Sequence, residues 1–407
     1  MPDVSVLDVL LHGRSVGTLT FVPGERTIFA FDEAYIGDPA RPTLSLSFKD
    51  SLGALITDIP ATRTRVPPFF ANLLPEGPMR DYLAERAGVN PKREFFLLWV
   101  LGRDLPGAVT IAPADGEAWP QEAQNESETR ESPSARRRNA LRFSLAGVQL
   151  KFSAVESASG GLTIPAQGIG GSWIVKLPST RHDSVPEHEH ATMRLAAMLG
   201  MDVPEMHLVG VDEIENLPED MAAIEGRALA VKRFDRTADG PMHMEDFAQV
   251  FGVYPDDKYE KASYRNIAEV VAAEVGPEAV AEFIRRLVFN TLIGNADMHL
   301  KNWSLIYPDR RNALLAPAYD FVSTIHYMPD ANAALKYART RRMDELSSDE
   351  LAYMAAKARL PEKLVLDTAA ETVARFHEAW RTQRKNLSKA LAATIERHVK
   401  TVPLARE

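Results

Sequence analysis

"LIGNADMHLKNWSLIYPD", Leu292 to Asp309, places Asn295, Asp297, His299, Lys301 and Asn302 within eight residues, between two apolar segments. The segment before it repeats apolar side chains at Val280, Phe283, Ile284, Leu287, Val288 and Leu292, the spacing of one buried helical face. Pro277 suits the first turn of that helix, and Gly294 with Asn295 supplies a stop signal, so the polar cluster begins where the helix ends. The cluster therefore reads as a loop. After it "WSLIY" reads as a short strand, "PDRRN" as a turn, and "ALLAPAYD" as a second strand that ends at Asp320.

Composition limits what such a loop can serve. A chain of 407 residues allows two or three structural units and a sizeable core. Its formal net charge of -9 excludes a whole-chain electrostatic grip on nucleic acid or an anionic membrane, leaving only a local basic patch. With no cysteine there is no disulfide, no thiolate zinc site and no cysteine nucleophile, which suits a reducing cytosol. The start, "MPDVSVLDVLLHGRS", lacks a basic segment followed by a long apolar one, and no run approaches the roughly 18 apolar residues that span a bilayer. The chain reads as cytoplasmic, with no membrane partner.

The first hundred or so residues hold short β-like runs, "VSVLDVLL", "VGTLTFV" and "TIFAF", and then the helix-patterned "PPFFANLLPEGPMRDYLAERAGV" and "REFFLLWVLGRDLPGAVTI". Residues 112–140 are polar, Pro-containing and almost free of aliphatic side chains, the composition of a linker. The arginines at 136–138 read as part of it. This divides the chain into an N-terminal domain (1–111), the linker, a mixed unit (141–235) and a unit (236–407) that is mainly helical from about Ala334.

Phosphoryl transfer needs a carboxylate beside the attacking hydroxyl and oxygen ligands for Mg²⁺ at the ATP phosphates. Asp297 and Asn302 stand in the D-x-x-x-x-N spacing of a kinase catalytic loop, and Asp320, within "YDF", takes the place of the second metal-binding carboxylate. No His-Arg pair precedes Asp297, and Val322 replaces the glycine of D-F-G, so an ordinary protein kinase fits poorly. As isolated residues, Asp297 and Asn302 equally suit turn caps. Lys301 shares the Asp297 side of an extended loop and would neutralise a transferring phosphate; His299 would act there or as a hydrogen-bonded structural residue.

Upstream, "SWIVKLP" sets Lys176 on a strand whose apolar flanks favour burial, and the helical "PEHEHATMRLAAMLG" carries Glu187 and Glu189 in its first turn. A strand lysine paired with a helical glutamate is the kinase device for holding phosphates. "RALAVKRFDR" reads as a buried strand running into a connector, and "RFSLAGVQLKFS" as strand, turn and return strand bearing Lys151. Glu245, Asp246 and Gln249 read as one helical face, either lining the cleft or solvated. The His188 to His190 triplet lacks the spacing of a helical zinc pair.

Taken in order, "FFANLLPEGPMRDYLAERAG", "LGRDLPGAVTI", "FSLAGVQLKFS", "IVKLP", "LAVKRFDR", "EDFAQVFG", "LIGNADMHLKNWSLI" and "PAYDFVST" resemble the HipA-type toxin kinases, whose core is similar to that of phosphatidylinositol kinases. The resemblance spans about residues 5–330. It implies an α+β fold: a two-lobed protein-kinase-like core, a β-rich N-terminal domain and an all-helical C-terminal part. It also implies ATP and Mg²⁺, with Asp297 as catalytic base and Asn302 and Asp320 as metal ligands. Lys176 and Glu189 would hold phosphates under a loop of Ala146, Gly147, Val148, Gln149, Leu150 and Lys151. Backbone groups of Lys232 and Phe234 would take adenine, with Asp235 near the ribose, and His299 and Lys301 would join the ATP site.

Ser144 would be the autophosphorylated serine that silences the enzyme. The implied partners are a HipB-type helix-turn-helix antitoxin, operator DNA mainly through that antitoxin, and a protein substrate, an aminoacyl-tRNA synthetase of glutamyl or tryptophanyl type. Two other classes stay open: a kinase-fold transferase for a lipid or small molecule, and a non-catalytic partner in a DNA-bound repressor complex.

Overall fold

The computed structural model describes residues 5–114, 151–156, 162–164, 171–179, 181–217, 221, 224–330 and 332–407. Ser144, the 146–150 loop and nearly all of the expected linker lie outside the described residues.

In "SVLDVLL" the side chains alternate between buried and half-buried, the two-residue period of a strand with one face on a core. This strand, β1 (Ser5–Leu11), turns back through His12 and Gly13, both at positive φ as a tight two-residue hairpin requires, into β2 (Arg14–Val22). With β3 (Arg26–Phe31), β4 (Thr62–Arg63) and β5 (Val109–Pro113) they make an antiparallel sheet ordered β4-β3-β2-β1-β5. β5 runs two residues past the expected domain limit at 111. Phe29 packs edge-on against Phe31 and Phe70 with ring centroids 4.8 Å apart. Two helices cover this sheet, α1 (Gly77–Ala87) and α2 (Glu94–Leu101), and every residue of α2 is buried.

The next sheet is ordered β10-β7-β6-β8-β11-β9, from β6 (Lys151–Glu156), β7 (Leu162–Thr163), β8 (Trp173–Lys176), β9 (Met206–Gly210), β10 (Ile214–Glu215) and β11 (Arg227–Lys232). Alternation along its strands decides the architecture. Phe152, Ala154, Trp173, Val175, Ala228 and Ala230 join the same hydrophobic core as the N-terminal sheet and helices. The alternate positions Ile174, Lys176 and Val231 instead line a cleft. The N-terminal domain and the small lobe thus share one core. Helix α3 (Val185–Met198) packs on β9 and β11.

After a small hairpin, β12 (Arg236–Thr237) and β13 (Gly240–Pro241), the large lobe opens with an antiparallel β14-β15-β16 sheet: β14 (His243–Asp246), β15 (Ser304–Tyr307) and β16 (Leu314–Leu315). Its centre is α5 (Pro277–Ile293), against which pack α4 (Tyr264–Glu274), α7 (Glu362–Gln383) and α8 (Lys389–Val399), while α6 (Ser348–Ala358) rests on α4 and α7. The apolar spacing read from the sequence forms this buried face, and Gly294 ends it at φ 70°. The α+β, two-lobed layout agrees with the expectation.

Two local expectations fail. The strand expected over "ALLAPAYD" is reduced to Leu314–Leu315, because Arg286 takes the Ala316 carbonyl at 2.7 Å and the Ala318 amide bonds Asp202, pulling the chain off the hairpin. Glu245 and Asp246 lie on β14, not on a helix. Asp246 accepts from the Gln249 amide at 2.9 Å and the Gln249 side chain accepts from the Asp246 amide at 2.9 Å, a reciprocal cap that starts the helical turn only after Asp246.

Glu245 is buried and accepts hydrogen bonds from the Ser45 hydroxyl at 2.5 Å, the Leu46 amide at 3.0 Å and the Tyr307 hydroxyl, tying the N-terminal domain to β15. Burial outweighs these donors and pushes its carboxyl up to about 7. A carboxyl raised in the folded chain stabilises most below its unfolded value of 4.5 and loses that contribution as pH rises through about 7. Glu245→Gln should therefore flatten the decline in stability between pH 4.5 and 7.5 by on the order of 2–3 kcal/mol, measured by urea denaturation across that range.

Candidate active site

The loop after α5 is fixed by its own backbone and by neighbours. The Asp297 amide donates to Asn295 Oδ1 at 3.1 Å, and the Asp297 carbonyl accepts from the His299 amide at 2.8 Å and from Asn302 Nδ2 at 3.0 Å. Tyr264 donates to the Met298 carbonyl, and Tyr319 to that of Lys301, each at 2.9 Å. Asn295 Nδ2 reaches the Asp320 carbonyl at 3.3 Å, coupling the loop to the second carboxylate. Asp320 is held at φ 58°, a left-handed conformation that asparagine and aspartate tolerate better than most side chains, as expected where geometry is imposed by a site.

Opposite this loop, Lys176 at the end of β8 is buried and ion-paired with both Glu189 of α3 and Asp320. Lys151 of β6 stands 3.7 Å from the other Asp320 oxygen. Burial works against the Lys176 ammonium, but Asp320 and then Glu189 hold it above its ordinary value. Asp320 likewise resists burial, because Lys151 and Lys176 carry its carboxyl below the carboxylate range. Two carboxylates thus share one buried ammonium.

Asp297 differs from Asp320. Its Oδ1 accepts from the Tyr259 hydroxyl at 2.5 Å, and burial, stronger than that bond and the Lys258 charge, raises its carboxyl. A carboxylate raised this way is a better proton acceptor. Lys151, Lys176, Asp297, Asn302 and Asp320 all line one cleft of about 720 Å³.

Not every expected residue faces that space freely. The Asp235 carboxylate lines the cleft but is taken up by Arg233 (2.9 and 2.8 Å), Arg236 (2.8 Å) and the Gly107 amide (2.9 Å), a joint between domains, and Arg233 above all holds it down at about 2 against burial. The Lys232 amide donates to the Glu205 carbonyl and its side chain pairs with Glu205, so that N–H is not open to adenine. Phe234 lines the cleft with its ring 5.9 Å from that of Tyr319. Lys301 lines it too, but its ammonium meets Glu76 at 2.8 Å and the Asn72 carbonyl at 3.0 Å rather than standing free for phosphate. His299 is buried edge-on to Tyr259, and burial first, then Lys258, lowers it to about 3, so it stays neutral.

Residues 7–112 match the family model described as HipA N-terminal domain, and residues 143–380 that described as HipA-like C-terminal domain. The chain belongs to the HipA family. It is 60% identical to Y4dM, a Sinorhizobium fredii protein with a kinase designation, over 100% of this chain and 99% of that one. Against the serine/threonine-protein kinase toxin HipA of Shewanella oneidensis it is 28% identical over 79% of this chain and 76% of that one. The fold is that of HipA in the Shewanella oneidensis HipA, HipB and operator DNA complex, with a TM-score of 0.72, 22% identity, and 98% and 96% of the two chains covered.

Within this HipA-family cleft the sequence reading missed Tyr259 and Glu76. Neither has a periodic or motif signal linking it to Asp297; the link exists only in three dimensions. The shared ammonium has a measurable signature. Lys176→Met leaves Glu189 and Asp320 facing each other without their cation, and should cost about 3–5 kcal/mol at pH 8. The loss should shrink at pH 5, where a carboxyl raised by the missing cation takes up a proton, and denaturation curves at the two pH values would show it.

Proposed function

We propose that this chain is an ATP-dependent serine/threonine protein kinase, the toxin of a toxin-antitoxin module. The observation that carries the reading is the meeting of Lys176, Asp297, Asn302 and Asp320 in one cleft between the lobes. A scaffold without catalysis has no need of all four, and the kinase names of its relatives favour a transferase.

In the proposed reaction the acceptor serine hydroxyl bonds the Asp297 oxygen not taken by Tyr259. Its oxygen forms a bond to the γ-phosphorus, the bond to the β,γ-bridging oxygen breaks, ADP leaves, and the hydroxyl proton passes to Asp297. Lys176, kept charged by two carboxylates, holds phosphate oxygens and keeps Glu189 beside them. Asp320 and Asn302 offer only oxygen donors, and among the described residues no group of three or more His, Cys, Asp or Glu converges on a metal. Such a sparse oxygen set fits Mg²⁺, which completes its shell with water and phosphate. Bound there it would neutralise the ATP phosphates.

Family resemblance extends the proposal to a substrate, an aminoacyl-tRNA synthetase, and to growth arrest with dormancy. A HipB-type antitoxin would restrain the enzyme and, given the net charge of -9, would supply most contacts to operator DNA. Among the described residues no helix is long and apolar enough to cross a membrane, and we place the protein in the cytoplasm. The kinase would also phosphorylate its own Ser144, and the dianionic phosphoserine would silence it by repelling the ATP phosphates.

Incubation with Mg²⁺ and ATP should add one phosphate to the peptide containing Ser144, read by intact and peptide mass spectrometry. Asp297→Asn should lower transfer by roughly 100-fold or more while leaving the melting temperature unchanged or slightly raised, since it relieves a buried charge. Transfer by Asp297→Asn at the wild-type rate would sink the mechanism.

A further inference from the structure

Glu76 stands at the N-terminal end of α1 yet makes no side-chain cap of that helix. Its carboxylate crosses instead to the large lobe. Oε2 takes the Lys258 ammonium at 2.7 Å and Oε1 takes that of Lys301 at 2.8 Å. All three side chains are nearly buried, at 13%, 9% and 7% exposure, so this is a desolvated ion triad rather than a solvent-screened surface pair. The same N-terminal segment reinforces it: the Asn72 carbonyl accepts from Lys301, and Asn72 Nδ2 donates to the Val253 carbonyl at 2.7 Å.

Chain connectivity gives the triad its meaning. Lys258 directly precedes Tyr259, whose hydroxyl grips Asp297 Oδ1. Lys301 directly precedes Asn302, whose amide grips the Asp297 carbonyl. Two of the residues that hold Asp297, Tyr259 and Asn302, are therefore each anchored through the adjacent lysine, and both lysines end on one carboxylate from another domain. Burial raises Glu76, but Lys301 and Lys258 overcome it and bring it down to about 2, so the anchor is ionised at neutral pH.

We propose that Glu76 is a positioning residue of the active site, through which the N-terminal domain braces Tyr259, Asn302 and thereby Asp297. This rests on the kinase reading. It makes the N-terminal domain part of the catalytic apparatus, not an appended binding module. Loss of the brace should leave nucleotide affinity nearly intact and lower turnover, because it misaligns the carboxylate that acts in the transition state.

The test compares full-length wild type, Glu76→Gln, Glu76→Asp and Lys49→Ala; the last breaks a different interdomain ion pair, Lys49 with Glu274 at 3.2 Å, on the exposed surface. ADP formation from MgATP is measured against ATP concentration, and amide hydrogen exchange is followed in peptides covering 295–303. Glu76→Gln should lower kcat by about tenfold or more, change KM for ATP by less than about twofold, and raise exchange in 295–303 by about tenfold. Glu76→Asp should recover part of both, and Lys49→Ala should change neither. Wild-type turnover and exchange in Glu76→Gln would overturn the proposal, as would an equal loss in Lys49→Ala. If Glu76→Gln does not fold, Glu76→Asp, which keeps the charge and shortens its reach, carries the comparison with wild type. A wild type that forms no ADP would instead remove the kinase reading, and the exchange data alone would then decide whether Glu76 braces the loop.

Discussion

The structure turns on one buried ammonium. Lys176 ends a strand of the small lobe, Glu189 belongs to the helix packed behind that strand, and Asp320 comes from the large lobe. Burying three ionisable groups is costly, and an isolated pair of this kind adds little net stability. The cost of losing the ammonium is another matter, since Glu189 and Asp320 would be left without the cation they share. The ion pair to Asp320 joins the two lobes at a residue that sits at φ 58°. Through its carbonyl Asp320 also takes a hydrogen bond from Asn295 of the loop that carries Asp297.

Local chemistry was legible in the sequence wherever a local rule governs. The spacing from Val280 to Leu292, the stop at Gly294, the alternation in "SVLDVLL" and the apolar flanks of Lys176 each reflect a preference settled within a few residues. Those signals located the loop, the first strands and the strand lysine. They were insufficient where the decisive partner is remote in the chain. Glu245 looked like one member of a helical face, yet its hydrogen bonds come from Ser45, 200 residues away, and it belongs to a strand. Asp235 and Lys301 were assigned to nucleotide by motif order, yet Gly107 and Glu76 of the N-terminal domain compete for them.

These misplacements have a common cause. Each concerns a charged side chain that also bonds a group of the N-terminal domain, and a motif that records types and spacing within the kinase core cannot register a partner from outside it. Tyr259 is the complementary case: a polar aromatic residue in an irregular segment, with no period to mark it, that reaches the carboxylate the motif did identify.

The shared core also bears on how the molecule assembles. Strands β1 to β5 precede the small lobe in the chain, but the hydrophobic core they join also takes in Phe152, Trp173, Val175, Ala228 and Ala230. More than half of these 407 residues must be synthesised before that core is complete, and its members are far apart in sequence. Such non-local closure slows folding and lengthens the exposure of apolar surface on the nascent chain. The N-terminal domain thus waits, on the nascent chain, for the small lobe before its own core can close.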